Sequence, residues 1–443
     1  METSRRKFLQ GSSTIATAGM MLGLASGKAH AATRKPTLDP SDWKSVRAQF
    51  KLDPKLAHLA NFFLASYPAP VQEAIERYRD ALNANPYSYL DDHMFMKERD
   101  MLWRNVAEAT AEYVGGKPDE IALTASTTWG LSLIYSGLQL RPGQEILTTT
   151  HEFYAHHESI RLAADKTGTK VRKITLYDTS AKASADEMVN RLISAIRPET
   201  RVVGVTWVHS GTGVVLPIRA VGDALAKVNR NRDDSDRVLL VVDGVHGFGV
   251  LDEDIARQGS DFFSAGTHKW ILGPHGTGMV WGRNESWALL KPTVPSLMDS
   301  ALMAAWRAGQ PPKGPVKAAR ISPGGFFAYE HQWAVTEAYG FHKSIGRTRI
   351  TNRILDLNGW LIEGLSKMKH VTMHTPSKRD LHAGFVCFEV DQIKPEEVGE
   401  RLRSKGIIAS PSPYANPSVR FSAGIVNNEA DIERALKAVR SLA

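Results

Sequence analysis

The sequence predicts an α/β protein built on a mostly parallel sheet with helices on both faces, and three observations carry that expectation. Short apolar runs recur from residue 121 to residue 282. Stretches of helical periodicity fall between several of them, the alternation that builds parallel sheets. The 443 residues are 42% hydrophobic and 23% charged, which suffices for a large core and is unlike a disordered or fibrous chain.

The elements follow in order. A short helix is expected around Trp43–Phe50, then an apolar loop, Asn61–Pro68. Pro70–Asn83 carries Val71, Ile75, Tyr78 and Leu82 at helical spacing, and Lys97–Val114 reads as the next helix. Ile121–Thr124, Glu145–Thr149, Val171–Leu176, Val202–Trp207, Val238–Val242, Asp261–Ala265 and Gly278–Gly282 read as strands. Trp129–Leu138, Glu187–Ile196 and Ala220–Asn229 read as helices between them. The charged run 229–237 is a solvated loop. Pro311–Pro315 marks a boundary, followed by a long helix over Tyr329–Lys367 that breaks near Gly346. A strand at Phe385–Val390 and helices at Pro395–Lys405 and Asp431–Ser441 complete a smaller α+β domain. The expected domains are an N-terminal arm over 32–65, a large domain over 66–315 and a small one over 316–443. The aromatic cluster Tyr87, Tyr89, His93 and Phe95 reads as packing or interface rather than as a substrate pocket.

The candidate chemistry sits at strand ends. Val238–Val242 runs into Asp243-Gly244-Val245-His246, and an Asp delivered at the carboxyl end of a buried strand lies where open α/β sheets bind ligands. The next strand runs into Thr267-His268-Lys269-Trp270, so Lys269 follows Asp243 by one strand at the same edge. An Asp and a Lys so placed suit pyridoxal phosphate: the amine forms a Schiff base and the carboxylate pairs with the pyridinium nitrogen. Ser126, Thr127 and Thr128, between a strand and a helix, supply hydroxyls and helix N-terminal amides for a phosphate. Phe153 could cover the ring, with Tyr154 as the alternative. His209 and Ser210 either line the site or form a plain strand-end turn.

Asp243–Gly278 resembles the core of the class V aminotransferase family, a fold-type I pyridoxal phosphate group that includes cysteine desulfurases and isopenicillin N epimerase. The resemblance extends to Asn61–Pro70, Thr124–Thr128, His151–Phe153, His209–Gly213 and Val419–Ser422, and is strongest toward the epimerase-like branch. It implies a catalytic Lys269 that anchors the cofactor and moves the substrate proton. It further implies Asp243 at the pyridinium, His246 at the ring hydroxyl, and Thr127, Thr128 and His268 at the phosphate. Arg420 would grip an amino-acid carboxylate. A homodimer is implied as well.

Two departures bear on activity. Many relatives carry a Gly-Thr pair near the small-domain boundary; here Pro323-Gly324-Gly325-Phe326-Phe327 holds no Thr. Desulfurases need a loop cysteine shortly before the carboxylate arginine. None lies between Gly406 and Arg420, and the one cysteine, Cys387, falls in an alternating strand. That cysteine also rules out an intrachain disulfide and a multi-cysteine zinc site. No metal is expected.

Residues 1–31 read as an export address. Arg5-Arg6 precede sixteen uncharged residues, Gly11–Ser26, and Ala29-His30-Ala31 suits cleavage. The segment resembles a bacterial twin-arginine signal, which implies a periplasmic protein exported folded by the twin-arginine machinery, without a membrane anchor after cleavage. Loss of the segment lowers the formal charge from +8 to +5, with basic residues spread out, so no nucleic-acid partner is expected. Export together with this core resembles the periplasmic enzymes that tailor pyoverdine siderophores at a glutamate side chain. The expected function is therefore transamination or another modification of a glutamate-like amino group, with epimerisation as the alternative. A desulfurase or lyase and a non-catalytic binding protein are disfavoured.

Overall fold

The computed structural model describes residues 37–96 and 101–443. The expected signal segment and its cleavage site at Ala31 lie outside the described residues, as does the start of the helix expected from Lys97. Leu38–Ala443 forms one compact unit.

Seven strands make the large sheet: β1 (Ile121–Thr124), β2 (Glu145–Thr149), β3 (Lys170–Ile174), β4 (Thr200–Thr206), β5 (Leu239–Asp243), β6 (Phe262–Gly266) and β7 (Gly278–Gly282). Their order is β1-β7-β6-β5-β4-β2-β3. The pairs β3/β2, β2/β4, β4/β5 and β5/β6 are parallel, and β7 runs antiparallel between β6 and β1. The carboxyl ends of six strands, all but β7, therefore meet at one edge. Thr206, Asp243 and Ser264 stand in register across β4, β5 and β6 there.

The pleat explains why these strands read as unbroken apolar runs. Leu240, Val242, Val203 and Phe263 enter one core layer, while Leu239, Val241, Val202 and Phe262 enter the layer on the other face. Strands covered on both faces cannot alternate polar and apolar. β3 is the exception, an edge strand with exposed positions, and it ends at Ile174 rather than Leu176.

Beyond the sheet, the expected long helix is three helices, Tyr329–Trp333, Val335–Ile345 and Arg347–Ser366. The main break is at Gly346, whose φ of +96° suits glycine. The expected boundary at residue 315 precedes helices whose Ala338, Phe341 and Ile345 join the large core. The small core draws on Leu357, Leu361, Phe388 and Phe421, with Ala57 and Leu59 from the arm. Its antiparallel sheet runs Ser410–Pro411, Val419–Phe421, Val386–Val390, Val371–Met373. Of these, only the strand near Val386 was expected; two or three residues are too few to show a period. In the aromatic cluster, Tyr89 packs on His93 with centroids 4.4 Å apart and on Trp333, while Tyr87 is exposed.

Close approach at two glycines ties the sheet to its coverings. A Cβ at Gly130 would stand 2.1 Å from Ser264 Oγ, so the helix Thr127–Gly137 can lie directly on β6. A Cβ at Gly244 would stand 1.8 Å from the ring of Phe263, a fully buried core residue. Replacing Gly244 with alanine is therefore expected to destabilise the fold by about 1–3 kcal/mol through overpacking. The urea midpoint measures this; an unchanged midpoint would contradict the packing described.

Candidate active site

The carboxyl edge of the sheet opens into a cavity of about 200 Å³ lined by Ser126, Thr127, Thr128, Phe153, Asp243, His246, His268, Lys269 and Arg420. All nine of these candidates from the sequence thus line one cavity. Tyr154 does not line it and is exposed, so of the two candidate rings it is Phe153 that faces the cleft. Ser210 lines it as well. His209 lies behind, its Nδ1 3.0 Å from the Tyr177 hydroxyl and its ring stacked on His151. Burial first, and His209 second, press His151 down to about 3, so both imidazoles are neutral packing groups at pH 7.

Asp243 ends β5 and is buried. Its Oδ1 accepts the Val245 amide at 3.2 Å. Burial raises its pKa, against the opposing pull of His156, the Val245 amide and Lys269. Lys269 follows β6. Its Nζ lies 3.4 Å from His246 Nε2. Burial lowers its pKa to about 8, Asp243 opposing and Arg420 adding to the fall. About a tenth of its amine is therefore neutral at pH 7 and about half at pH 8, far more than for an ordinary lysine, and the neutral form is the one a nucleophile or base requires. His246 packs edge-on against Phe385 at 4.8 Å, and burial holds it neutral. Its Nδ1 is buried without a partner among the described residues.

Arg420 is the clearest feature. It lies on Val419–Phe421 and is 5% exposed. Its Nη1 donates to the Ser210 carbonyl at 3.2 Å, and its Nη2 donates to Ser410 Oγ and the Pro411 carbonyl, each at 3.1 Å. The guanidinium lies 4.3 Å over the Phe62 ring. It makes no ion pair with a carboxylate among the described residues, and its Nε is buried without a partner. A buried cation without a counter-ion at a cavity wall is a receptor for an anion.

At the corner expected to hold the phosphate, Thr127, Thr128 and His268 all line the cavity. Ser126 caps the helix Thr127–Gly137, its Oγ accepting the Trp129 amide at 3.3 Å. Thr127 Oγ1 accepts the Gly266 amide at 2.7 Å, so its hydroxyl also locks the helix to the end of β6. The Thr128 side chain is exposed at the cavity. His268 turns its Nδ1 to the Thr277 carbonyl at 3.1 Å. The donors available to an anion here are helix-terminal amides, Thr128, and the Thr127 hydroxyl, whose hydrogen stays free when its oxygen accepts from Gly266.

Sequence reasoning missed two groups. Glu152 is buried between partners: Thr149 Oγ1 at 2.6 Å, His156 Nδ1 at 3.1 Å and the Thr206 hydroxyl. Burial alone would raise it, but His156 and these bonds hold it near 2. His156 Nε2 reaches the Tyr135 hydroxyl at 2.8 Å. The spacing of Glu152 and His156, one helical turn, was the available signal. The second is Tyr414, six residues before Arg420, whose hydroxyl lies 2.6 Å from Ser210 Oγ in the cavity wall. In the sequence its loop stands out only for the cysteine it lacks.

The donor set suits a flat ring bearing a phosphate. A buried carboxylate faces the cleft, an amine is held partly neutral, and an aromatic wall and helix-terminal amides flank them.

The chain matches the family described as Aminotransferase class-V over residues 64–434. It is 28% identical to the isopenicillin N epimerase of Streptomyces clavuligerus, over 91% of this chain and 98% of that one. It is 23% identical to a probable cysteine desulfurase of Pyrococcus abyssi, over 90% and 97%. Among solved structures it superposes on a variant of C-DES with glycine covalently linked to its PLP cofactor. That match has a TM-score of 0.77 at 22% identity and covers 89% of this chain and 98% of that one. It also superposes on a cysteine desulfurase of Thermococcus onnurineus, with a TM-score of 0.74 at 21% identity over 90% and 97%. The fold is the one these proteins share, fold type I.

Cys387 is fully buried, and burial raises its pKa to about 12. The native protein is expected to resist thiol reagents at pH 8 and to react fully once unfolded. Stoichiometric labelling of the native protein, counted by mass spectrometry, would contradict this.

Proposed function

The chain belongs to the class V aminotransferase family, whose members are pyridoxal phosphate enzymes of fold type I, and from that premise we propose that it works on the amino group of a substrate bearing a free α-carboxylate. One observation carries the reading: Arg420, a buried guanidinium without a carboxylate partner, faces the same cavity as Lys269. When bound, the cofactor supplies an electron sink that makes the α-hydrogen of an attached amino acid acidic.

The residues divide the remaining work. Lys269, held near a pKa of 8 by burial, offers a neutral amine for anchoring and then for taking or returning the α-proton. Asp243 is a buried acceptor for a protonated ring nitrogen, and Glu152 with His156 adds fixed charge and hydrogen bonds behind it. His246, neutral and beside Lys269, suits a ring hydroxyl. Thr128 and the helix-terminal amides hold the phosphate, and Phe153 covers the ring. Arg420 fixes the carboxylate, which sets the α-carbon beside Lys269.

The finer reading is transamination, or another modification, of a glutamate-like amino group. The substrate proposed is a small molecule or a siderophore precursor such as a pyoverdine. The Arg5-Arg6 segment supports export to the periplasm by the twin-arginine route. Exposed Phe326 and Trp306 support pairing as a homodimer. The second reading, epimerisation, draws on the names of the relatives aligned over nearly the whole chain. Sulfur transfer is disfavoured, because the loop before Arg420 holds no cysteine and Cys387 is sealed in the core.

Incubation of the loaded enzyme with L-glutamate separates the readings. Release of 2-oxoglutarate supports transamination, formation of D-glutamate supports epimerisation, and neither product overturns the glutamate-like substrate. Arg420→Lys keeps the charge but not the fork, and is expected to raise KM at least tenfold with a smaller effect on kcat. An unchanged KM would remove Arg420 from carboxylate binding. The amine is the reactive form, so the rate at which the apoprotein takes up pyridoxal phosphate should climb with pH and level off above about pH 8. A midpoint near that of an ordinary lysine would contradict the desolvated state of Lys269.

A further inference from the structure

We propose that Tyr414 is a second acid–base group of this site, acting on the substrate α-carbon from the side opposite Lys269 and so equipping the enzyme to invert that carbon. The inference rests on the amino-acid reading above and names the group that epimerisation requires.

Four observations support it. First, the two groups belong to different walls. Lys269 contacts His246, whose ring packs on Phe385 and Phe62, whereas Tyr414 lies edge-on to Phe153 at 6.5 Å and bonds to Ser210. Ser210 follows β4 and Lys269 follows β6, so Asp243 on β5 stands between them. Second, Arg420 bridges the walls. It donates to the Ser210 carbonyl, and its charge acts on both Lys269 and Tyr414. A carboxylate seated on Arg420 therefore holds its α-carbon between amine and phenol.

Third, Tyr414 is held in place. Its loop is closed by the Ser412 amide on the Ser418 carbonyl at 2.8 Å and the Ser418 amide on Ser412 Oγ at 2.9 Å. Gly211 leaves room beneath the ring, where a Cβ would stand 3.0 Å from it. Fourth, the protonation state is right for a donor. Burial raises the phenol to about 12, while the Ser210 bond and Arg420 oppose that rise and favour the phenolate once formed.

The step balances without an oxidant. The neutral Lys269 amine takes the α-proton from one face, and that C–H bond breaks. The Tyr414 hydroxyl gives its proton to the same carbon from the other face, and a new C–H bond forms. The phenolate is left beside the Arg420 guanidinium and the Ser210 hydroxyl. Water reprotonates it and takes the proton from Lys269. For the opposite enantiomer the Tyr414 hydroxyl first gives its proton to water. The phenolate, held by Arg420 and Ser210, then takes the α-proton, and the protonated Lys269 gives its proton to the other face.

The test uses the loaded full chain with L- and D-glutamate and L- and D-alanine in D2O. Deuterium at the α-carbon is followed by NMR and configuration by chiral chromatography. The wild type is expected to exchange both enantiomers of at least one pair. Tyr414→Phe is expected to keep exchange of one enantiomer, with retention, and to slow the other at least a hundredfold. The retained exchange and an intact cofactor absorbance show that the variant is folded. Ser210→Ala should slow the same enantiomer by a smaller factor. Equal exchange of both enantiomers by Tyr414→Phe would overturn the proposal. So would a wild type that exchanges a single enantiomer, which leaves the amino-acid reading standing. A wild type that exchanges none overturns that reading and this proposal together.

Discussion

Three charged groups held out of water at one end of a sheet set the terms for this molecule. Asp243, Lys269 and Arg420 each lie in or beside apolar surroundings, and none is ion-paired to a side chain among the described residues. Burial pushes Asp243 up and pulls Lys269 and Arg420 down. Such groups are costly unless something compensates them. Each keeps its charge only at a modest level of mutual support, so the cleft is matched to a ligand that brings a cationic ring, a carbonyl for the amine and a carboxylate. The protein pays the desolvation in advance so that the ligand meets groups already stripped of water.

The architecture exists to hold those charges still. Strands buried on both faces fix where their last residues emerge, because sliding one strand by a residue would turn its whole apolar set the wrong way. Register places Thr206, Asp243 and Ser264 side by side. The helix Thr127–Gly137 can aim its amides at the cleft because Gly130 lets it sit on β6 and Thr127 bonds to Gly266. Behind Asp243, Glu152, His156, Tyr135 and Thr206 form a fully buried polar chain in which every member has a partner. A satisfied network of this kind stiffens its surroundings. Arg420 comes from the small sheet and donates to the Ser210 carbonyl in the loop after β4, so its guanidinium joins the two cores.

How much of this was legible followed from the kind of signal each residue leaves. The seven strands were readable because double burial writes long apolar runs. The strand at Val419–Phe421 was not read as one, since three residues show no period. Asp243 and Lys269 were readable because strand ends locate them. Phe153 and Tyr154 were not separable by sequence; only the turn into the helix decides which ring faces the cleft. Thr127 was assigned to a phosphate by residue type, whereas its hydroxyl also holds Gly266. Tyr414 lay hidden because its hydroxyl meets Ser210, 204 positions away, and no local pattern connects them.

The claim on which the rest depends is that Lys269 is the covalent anchor for pyridoxal phosphate. Borohydride reduction of the loaded protein, followed by peptide mapping, tests it most directly. The account predicts one pyridoxyl group per chain, on Lys269 alone. A group found on any other lysine, or a loaded protein that borohydride leaves unmodified, would contradict it.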